Sequence, residues 1–365
     1  MAATRTSVRL VSGAREVTDL IRSLPAEMRT SAFHHPAWIE AWYAVEDRAA
    51  RETVAAIVED AAQRPLMVLP LVLDTFGSSH FWAPLDLGVT DYNTSMIAPD
   101  FHPNPLEMQA VWTRIVAALP DHAGFLLLDK VPQGLGDHHE PLAALPRVRH
   151  SHVVRHPLHL DADWEKLRAT RFDQSMVRSL TRKRRKLERK GDLVFSVMTG
   201  EAALPALDAL MTWRGERFGD RPAITDLYAR VVASGDPARV LCLTLDGRPI
   251  SAGLGLLEKD AFRLLAIAHD DSWKNWSPGL LVVEDAIRWA VETGLYEFDF
   301  TIGSEPYKFD FGVEPEPMWL VAEEFGPHGS AMLRVILTRN YLASRLKRWV
   351  HTGTPRRRDA HASVG

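Results

Sequence analysis

Residues 275–312 read NWSPGLLVVEDAIRWAVETGLYEFDFTIGSEPYKFDFG, and the local signals in this stretch agree with one another. Ser277 is a good helix N-cap, Pro278 stands where a missing N–H costs nothing, and Gly279 lets another group come close to the helix end. Apolar Leu280, Val283, Ile287, Ala290 and Val291 recur at helical spacing, and Gly294 supplies a left-handed stop. Tyr296-Glu297-Phe298-Asp299-Phe300 then alternates apolar and acidic side chains, as a strand does. A turn, Gly303-Ser304-Glu305-Pro306, delivers Tyr307 and Lys308. The glycine-opened helix N-terminus is a place to hold an anion. The Tyr-Lys pair beyond the strand is a place for proton chemistry.

Working outward, the strands Val240–Leu245, Ile250–Glu258 and Ala261–Ala268 precede this unit as a meander, with Asp246-Gly247 as the first hairpin turn. Before them come a strongly basic helix from about Phe172 to Lys190, a strand Leu193–Met198 and a helix Ala202–Phe218. Met318–Glu323 adds a last strand to this half. The first half has the same order: a strand Ser7–Leu10, a helix opened by Pro36, strands Thr53–Glu59 and Pro65–Leu73, a helix from about Leu106 to Leu119 and a strand Gly124–Asp129. An irregular segment ending in Thr90-Asp91-Tyr92-Asn93 interrupts it, and Gly134–Pro146 is a loop-like connection between the halves. Ala55–Asp60 followed by Arg64–Leu69 is similar to Leu241–Asp246 followed by Arg248–Ser251. A tandem α+β protein is expected: one unit over residues 1–150 and a second over 151–330, each a mixed, mostly antiparallel sheet flanked by helices. Residues 331–365 follow as an amphipathic helix (Leu333, Ile336, Leu337, Leu342, Trp349) that packs on its own protein, then a disordered basic tail with Arg356-Arg357-Arg358.

The 365 residues suffice for two domains, and 46 % hydrophobic with 25 % charged residues is ordinary for a soluble globular protein. A net charge of −4 makes any polyanion binding local rather than global. The single cysteine, Cys242, excludes an intrachain disulfide framework, cysteine zinc clusters and CxxC redox motifs. The N-terminus has no long apolar run and no segment reaches membrane-span length, so no transmembrane segment and a cytoplasmic location are expected. The histidines show no HExxH spacing and no metal is expected. Ser95 and Ser251 lack the Gly-x-Ser-x-Gly context of serine hydrolases.

Strand meander, glycine-started helix, strand and a tyrosine near Phe-Gly resemble the GNAT acyltransferase fold. Ser277-Pro278-Gly279-Leu280-Leu281, then Phe298-Asp299-Phe300 with Gly303, Glu305, Tyr307 and Lys308, look like the bacterial acetyltransferases of the CelD type, which are associated with cellulose and other exopolysaccharide biosynthesis. These are relatives of the Fem peptidyltransferases, which pair two GNAT-like domains. Asp91-Tyr92 and the basic helix before Gly191 also look like that group. The resemblance spans roughly residues 30 to 325. It implies acetyl- or acyl-coenzyme A held in the splay between two strands, with Ala266, Ile267 and Ala268 along the pantetheine arm and Trp276, Ser277, Gly279 and Leu280 at its phosphates. The usual pyrophosphate loop, Arg/Gln-x-x-Gly-x-Gly/Ala, is absent; residues 273–279 occupy its place with a single glycine, and Pro278 removes one donor. Fem-type relatives use aminoacyl-tRNA as donor.

Acyl transfer needs a held donor, a deprotonated nucleophile, a stabilised oxyanion and a protonated leaving thiolate. Tyr307 falls where GNAT enzymes commonly place the tyrosine that protonates the thiolate. Lys308 is a candidate for stabilising developing negative charge. Asp299 and Glu305 are candidates for taking the acceptor's proton, with turn capping and pairing to Lys308 as their structural alternatives. Arg178, Arg182 and Arg185, with Arg189, share one side of the basic helix and point to an anionic ligand; tRNA is possible but disfavoured, because no aromatics interleave with the cations. Trp213 and Arg217 are candidates for lining an acceptor cleft between the halves, alongside Asp91 and Tyr92. The expected activity is acyl transfer from acyl-coenzyme A to an amine or hydroxyl of a sugar, nucleotide-sugar or other envelope or exopolysaccharide precursor. The alternatives are an aminoacyl-tRNA-dependent peptidyltransferase, and a non-catalytic scaffold binding an anionic polymer or a polysaccharide-synthase subunit.

Overall fold

Buried runs in the sequence become two separate main sheets, the first of which takes a strand from the second half. The structure, a computed structural model, describes residues 6–45, 51–86, 88–303 and 305–352, with side chains described through residue 339. In the first half, β1 (Ser7–Ser12), α1 (Ala14–Ser23), α2 (Pro36–Ala44), β2 (Thr53–Glu59), β3 (Pro65–Phe76), β4 (Ser79–Ala83), β5 (Met96–Ile97), α3 (Pro105–Ala118) and β6 (Phe125–Pro132) follow one another. A small hairpin, β7 (Gly134–Leu135) and β8 (His138–His139), then leads to β9 (Arg149–Arg155). The second half runs β10 (Pro157–His159), α4 (Trp164–Thr170), α5 (Gln174–Glu188), β11 (Leu193–Met198), α6 (Leu204–Phe218), α7 (Pro222–Ala233), β12 (Ala238–Leu245), β13 (Arg248–Leu257), β14 (Ala261–His269), α8 (Pro278–Glu292), β15 (Glu297–Asp299), α9 (Tyr307–Asp310), β16 (Glu316–Glu324) and α10 (Pro327–Thr352).

The main sheets have the orders β1-β2-β3-β4-β6-β16-β9, with β5 on β3, and β11-β12-β13-β14-β15-β10. Each is antiparallel except at one junction, where the strand after the long helix lies parallel to the third meander strand: β4 with β6, β14 with β15. The two sheets thus repeat one plan, and the fold is α+β with two GNAT-like halves. The expected Asp-Gly hairpin forms between β12 and β13, with Asp246 at φ 49° and Gly247 at φ 75°.

One expectation fails instructively. The strand near Met318–Glu323 does not complete the second half; β16 crosses back and pairs β6 and β9 of the first sheet. β10, the first strand of the second half, takes the position next to β15 in the second sheet. The second half therefore lends a strand to the first sheet, between β6 and β9, and α10 follows β16 onto that sheet, burying Leu333 and Ile336 against Phe125, Leu127 and Leu320. The expected roles of Leu342 and Trp349 and of the tail with Arg356-Arg357-Arg358 lie outside the described side chains. Among the described residues no helix is long and apolar enough to cross a membrane.

The second core joins α8 (Leu281, Val282, Ile287) to the β12–β14 face and to Phe298, Phe300 and Phe311. This packing fixes the N-terminal end of α8 against the sheet.

Candidate active site

The β14–β15 pairing is short. It covers Ala261–Arg263 opposite Glu297–Asp299 and then stops, while β14 continues to His269. From Leu264 onward that edge of β14 has no strand partner among the described residues, and a cavity of about 560 Å³ opens in the gap. Leu264, Ala266, Ile267, Ala268 and His269 form one wall, Phe300, Thr301 and Ile302 the other. Ser277, Gly279 and Leu280 close one end, Glu305 lines it from the turn before α9 and Tyr307 and Lys308 from α9, and Arg214, Arg217 and Phe218 reach it from α6.

At the helix end, Ser277 adopts a left-handed conformation (φ 51°, ψ 49°) and does not cap α8 with its side chain. Its hydroxyl accepts a hydrogen bond from Lys183 Nζ at 2.6 Å instead. Its carbonyl takes the N–H groups of Leu280 and Leu281. Pro278 has no N–H, so Gly279 carries the one first-turn amide left unpaired among the described residues. A Cβ at Gly279 would stand 3.3 Å from His269 Nδ1, so the bare backbone lets strand and helix end approach across the cavity.

Tyr307 opens α9, lines the cavity and makes no hydrogen bond with the described residues. Burial, with Glu305 beside it, raises its pKa, so the phenol holds its proton. Glu305 is half exposed; burial works against its charge, but Lys308 prevails and keeps its pKa below the ordinary value. Lys308 is 3 % exposed, and its ammonium donates to the carbonyls of Phe300 (2.9 Å), Ile302 (2.7 Å) and Gly303 (3.4 Å) and pairs with Glu305 at 3.0 Å. Its protons are committed to holding the 300–303 wall, which corrects its expected role as an oxyanion donor: it positions the loop. Ser304, in the same turn, lies outside the described residues.

Asp299 also differs from expectation. It is fully buried, off the cavity, and its Oδ2 accepts from Tyr92 Oη at 2.5 Å and Arg263 Nη1 at 2.9 Å, with Arg155 Nη2 at 3.5 Å. Burial opposes its charge, but Arg155 and Arg263 outweigh that and lower its pKa. Arg263 further pairs with Glu258 and Glu297, and Arg155 with Glu297. Oδ1 accepts from the Thr301 N–H at 2.8 Å, and Thr301 Oγ1 donates to the Leu264 carbonyl at 3.1 Å across the mouth of the splay. Asp299 is thus the vertex from which the two walls part, and a saturated carboxylate cannot serve as a general base there.

The remaining expected residues divide. Ala266, Ile267, Ala268, Ser277, Gly279, Leu280 and Arg217 line the cavity. Trp276 does not: it packs on the second core, with the ammonium groups of Lys186 and Lys190 6.0 Å and 5.5 Å from its ring. Trp213 packs on the first core. Asp91 and Tyr92 are buried in the junction between the halves, so they do not face an acceptor cleft; the junction is filled there by the Tyr92–Asp299–arginine cluster. Burial pushes the Asp91 carboxyl up to about 6, against the pull of Lys130. Arg178, Arg182 and Arg185 lie away from the cavity, around a separate groove of about 360 Å³ with Arg189. Among the described residues no cluster of His, Cys, Asp and Glu is placed to hold a metal.

Sequence reasoning missed Arg214, Lys183, Phe218 and His269. Arg214 was available from its position three residues before Arg217 on one helix face. His269 follows Ala268 on the predicted strand, so extending that strand by one residue puts it at the helix end. Burial and the Arg217 charge lower its pKa, which keeps the imidazole neutral.

Residues 174–309 match the family profile described as an acetyltransferase (GNAT) domain, so the chain contains a GNAT-type domain, and every cavity-lining residue falls inside it. No curated protein matches the chain by sequence. Among solved structures, the C-terminal DUF2156 domain of an Agrobacterium fabrum protein named for lysylphosphatidylglycerol synthesis superposes with a TM-score of 0.55 at 12 % identity, covering 89 % of this chain and 96 % of that one. FemX gives a TM-score of 0.55 at 13 % identity, over 86 % of this chain and 94 % of its own. A conserved Bacteroides thetaiotaomicron protein of unknown function gives 0.52 at 11 %, over 84 % and 96 %. At these identities the likeness is one of fold.

Proposed function

We propose that the protein is an acyltransferase that moves an acetyl or longer acyl group from acyl-coenzyme A to an amine or hydroxyl. The acceptor class is a sugar, nucleotide-sugar or other envelope or exopolysaccharide precursor, as the CelD-type resemblance implies, and the reaction is cytoplasmic, where such thioesters are made. One observation carries this reading: a single cavity at the β14–β15 parting has a helix-end amide, Gly279, and a phenol, Tyr307, on its lining, both without a hydrogen-bond partner among the described residues.

The residues present fit the donor. The strandless edge of β14 from Leu264 to His269 suits an extended amide-bearing arm, and Gly279 N–H with Lys183 at Ser277 suits its phosphates. The thioester supplies an activated acyl group. Tyr307, kept protonated by burial, is the lining group that can give a proton to the departing sulfur. Glu305, ionised beside Lys308, is the carboxylate on the lining that can take the acceptor's proton, directly or through water. Lys308 and Asp299 fix the 300–302 wall. In the balanced reaction the new bond to nitrogen or oxygen forms as the carbon–sulfur bond breaks; one proton leaves the nucleophile and one reaches the thiolate. Release of free thiol from acetyl-coenzyme A in an acceptor mixture, lost on Tyr307→Phe, tests the reading.

A second reading has aminoacyl-tRNA as donor. What favours it is α5, where Arg178, Arg182, Arg185 and Arg189 are exposed together and none has a carboxylate partner among the described residues. It requires binding that weakens steeply with salt and no thermal protection by acetyl-coenzyme A. A non-catalytic scaffold would bind an anionic polymer and release no thiol in any mixture.

A further inference from the structure

We propose that the acceptor carries an acidic group, a carboxylate or a phosphate, which Arg214 and Arg217 hold at the cavity mouth while its amine or hydroxyl faces Glu305 and Tyr307. The inference rests on the acyl-transfer reading and names the acceptor's class within it.

The charges on the cavity lining do not balance. Lys308 is matched by Glu305 at 3.0 Å and by main-chain carbonyls, and Lys274 by Asp271 at 2.7 Å. Arg214 has one long hydrogen bond, to the Ile267 carbonyl at 3.4 Å, and Arg217 has neither a hydrogen bond nor an ion pair among the described residues. Two guanidinium groups therefore face a concave site without an ion-pair partner among the described residues, Arg217 feeling the more distant Asp271 carboxylate, itself paired with Lys274. They stand three residues apart on α6, on one helix face, with Phe218 beside them. Phe218 is 64 % exposed, and the two guanidinium carbons lie 5.4 Å and 5.2 Å from its ring centre. A large apolar ring left in water between two cations at a cavity mouth is a surface that a ligand covers. Guanidinium forks match carboxylate and phosphate oxygens in pairs.

Position separates Arg214 from the donor's phosphates, while Arg217, whose charge bears on His269, stands nearer the helix end. The helix-end anchor, Gly279 with Ser277 and Lys183, is at the α8 end of the cavity. Arg214 stands near enough to Tyr307 for its charge to bear on the phenol. Its anion therefore belongs beside the reacting atoms, which is where the acceptor sits.

The test uses matched acceptors with acetyl-coenzyme A and a thiol-release readout: glucosamine against glucosamine 6-phosphate, and an amino acid against its amide. The acid-bearing member of one pair is expected to be favoured about tenfold or more in kcat/KM, as a charge-assisted bidentate contact allows. Arg214→Gln and Arg217→Gln should erase the preference by raising the acceptor KM with the donor KM unchanged, and Arg214→Lys should restore part of it. Equal turnover within both pairs overturns the proposal, as does a rise confined to the donor KM. Calorimetric titration of the preferred acid-bearing probe without donor separates the two claims. Arginine-dependent binding with no thiol release removes acyl transfer and leaves the anion site; thiol release with no arginine dependence does the reverse.

Discussion

Tyr92 donates its hydroxyl proton to Asp299 Oδ2 across 2.5 Å, from the first half of the chain to the vertex of the cavity in the second. The acceptor oxygen belongs to the last paired residue of β15, and the other oxygen of the same carboxylate holds Thr301, a lining residue. The first half therefore braces the point where the donor wall and its opposite wall part, although it contributes no residue to the lining.

Removing Tyr92 Oη by Tyr92→Phe keeps the ring in place and leaves Asp299 its arginine and Thr301 partners. The expected loss is about 1–2 kcal/mol. Asp299→Asn leaves Arg155 and Arg263 short of their counter-charge in the interior, and its expected cost is about 3–5 kcal/mol. Urea unfolding midpoints for the two variants check the order; equal losses would mean that Asp299 is not the hub.

Tyr307→Phe deletes a hydroxyl that bonds to nothing else, so stability should stay within about 0.5 kcal/mol of the parent protein. Turnover should fall about 100-fold if the phenol is the proton donor. Acetyl-coenzyme A affinity, measured calorimetrically, should hold. Unchanged turnover would remove the assignment.

Lys308→Met strips three carbonyls of their donor inside the protein and is expected to cost about 2–4 kcal/mol. Because the same carbonyls shape the 300–303 wall, donor affinity should fall with stability. A variant that lost turnover while retaining full stability and affinity would return Lys308 to the chemistry.

Glu140 gives a pH signature. Burial pushes its carboxyl up to about 7, against the pull of the Ser95 hydroxyl and N–H and the Leu142 N–H. A carboxyl whose folded pKa lies above its unfolded one favours the fold when protonated, so this contribution grows as pH falls from above 7 towards 4.5 and is lost on the way up. Asp91, pushed up to about 6, acts in the same sense, while His34, lowered to about 4 by burial, opposes it below pH 6.5. Glu140→Gln should flatten the stability profile between pH 5 and pH 8 by about 3 kcal/mol. Parallel thermal midpoints for the two proteins across that range would contradict it.

The sequence by itself determined the elements and their plan. Helix α8, the strand into Asp299 and the Asp246-Gly247 hairpin follow from apolar spacing and turn chemistry, which act over a few residues, although Ser277 does not cap α8 with its side chain; the place of Tyr307 follows from the GNAT resemblance. The wall of the cavity was legible in part through the GNAT resemblance, which put Ala266, Ile267, Ala268, Gly279 and Leu280 beside the donor, and all five line the cavity. Tertiary structure decided the rest. Asp299 and Lys308 carry the residue types of catalysis, yet Asp299 is claimed by arginines 36 and 144 residues away. Lys308 is claimed by carbonyls that a local reading leaves free. The crossing of β16 into the first sheet depends on which strands, β6 and β9, stand open to it once the chain has folded. Long-range partners decide whether an ionisable side chain is a reagent or a strut, and no local pattern encodes them.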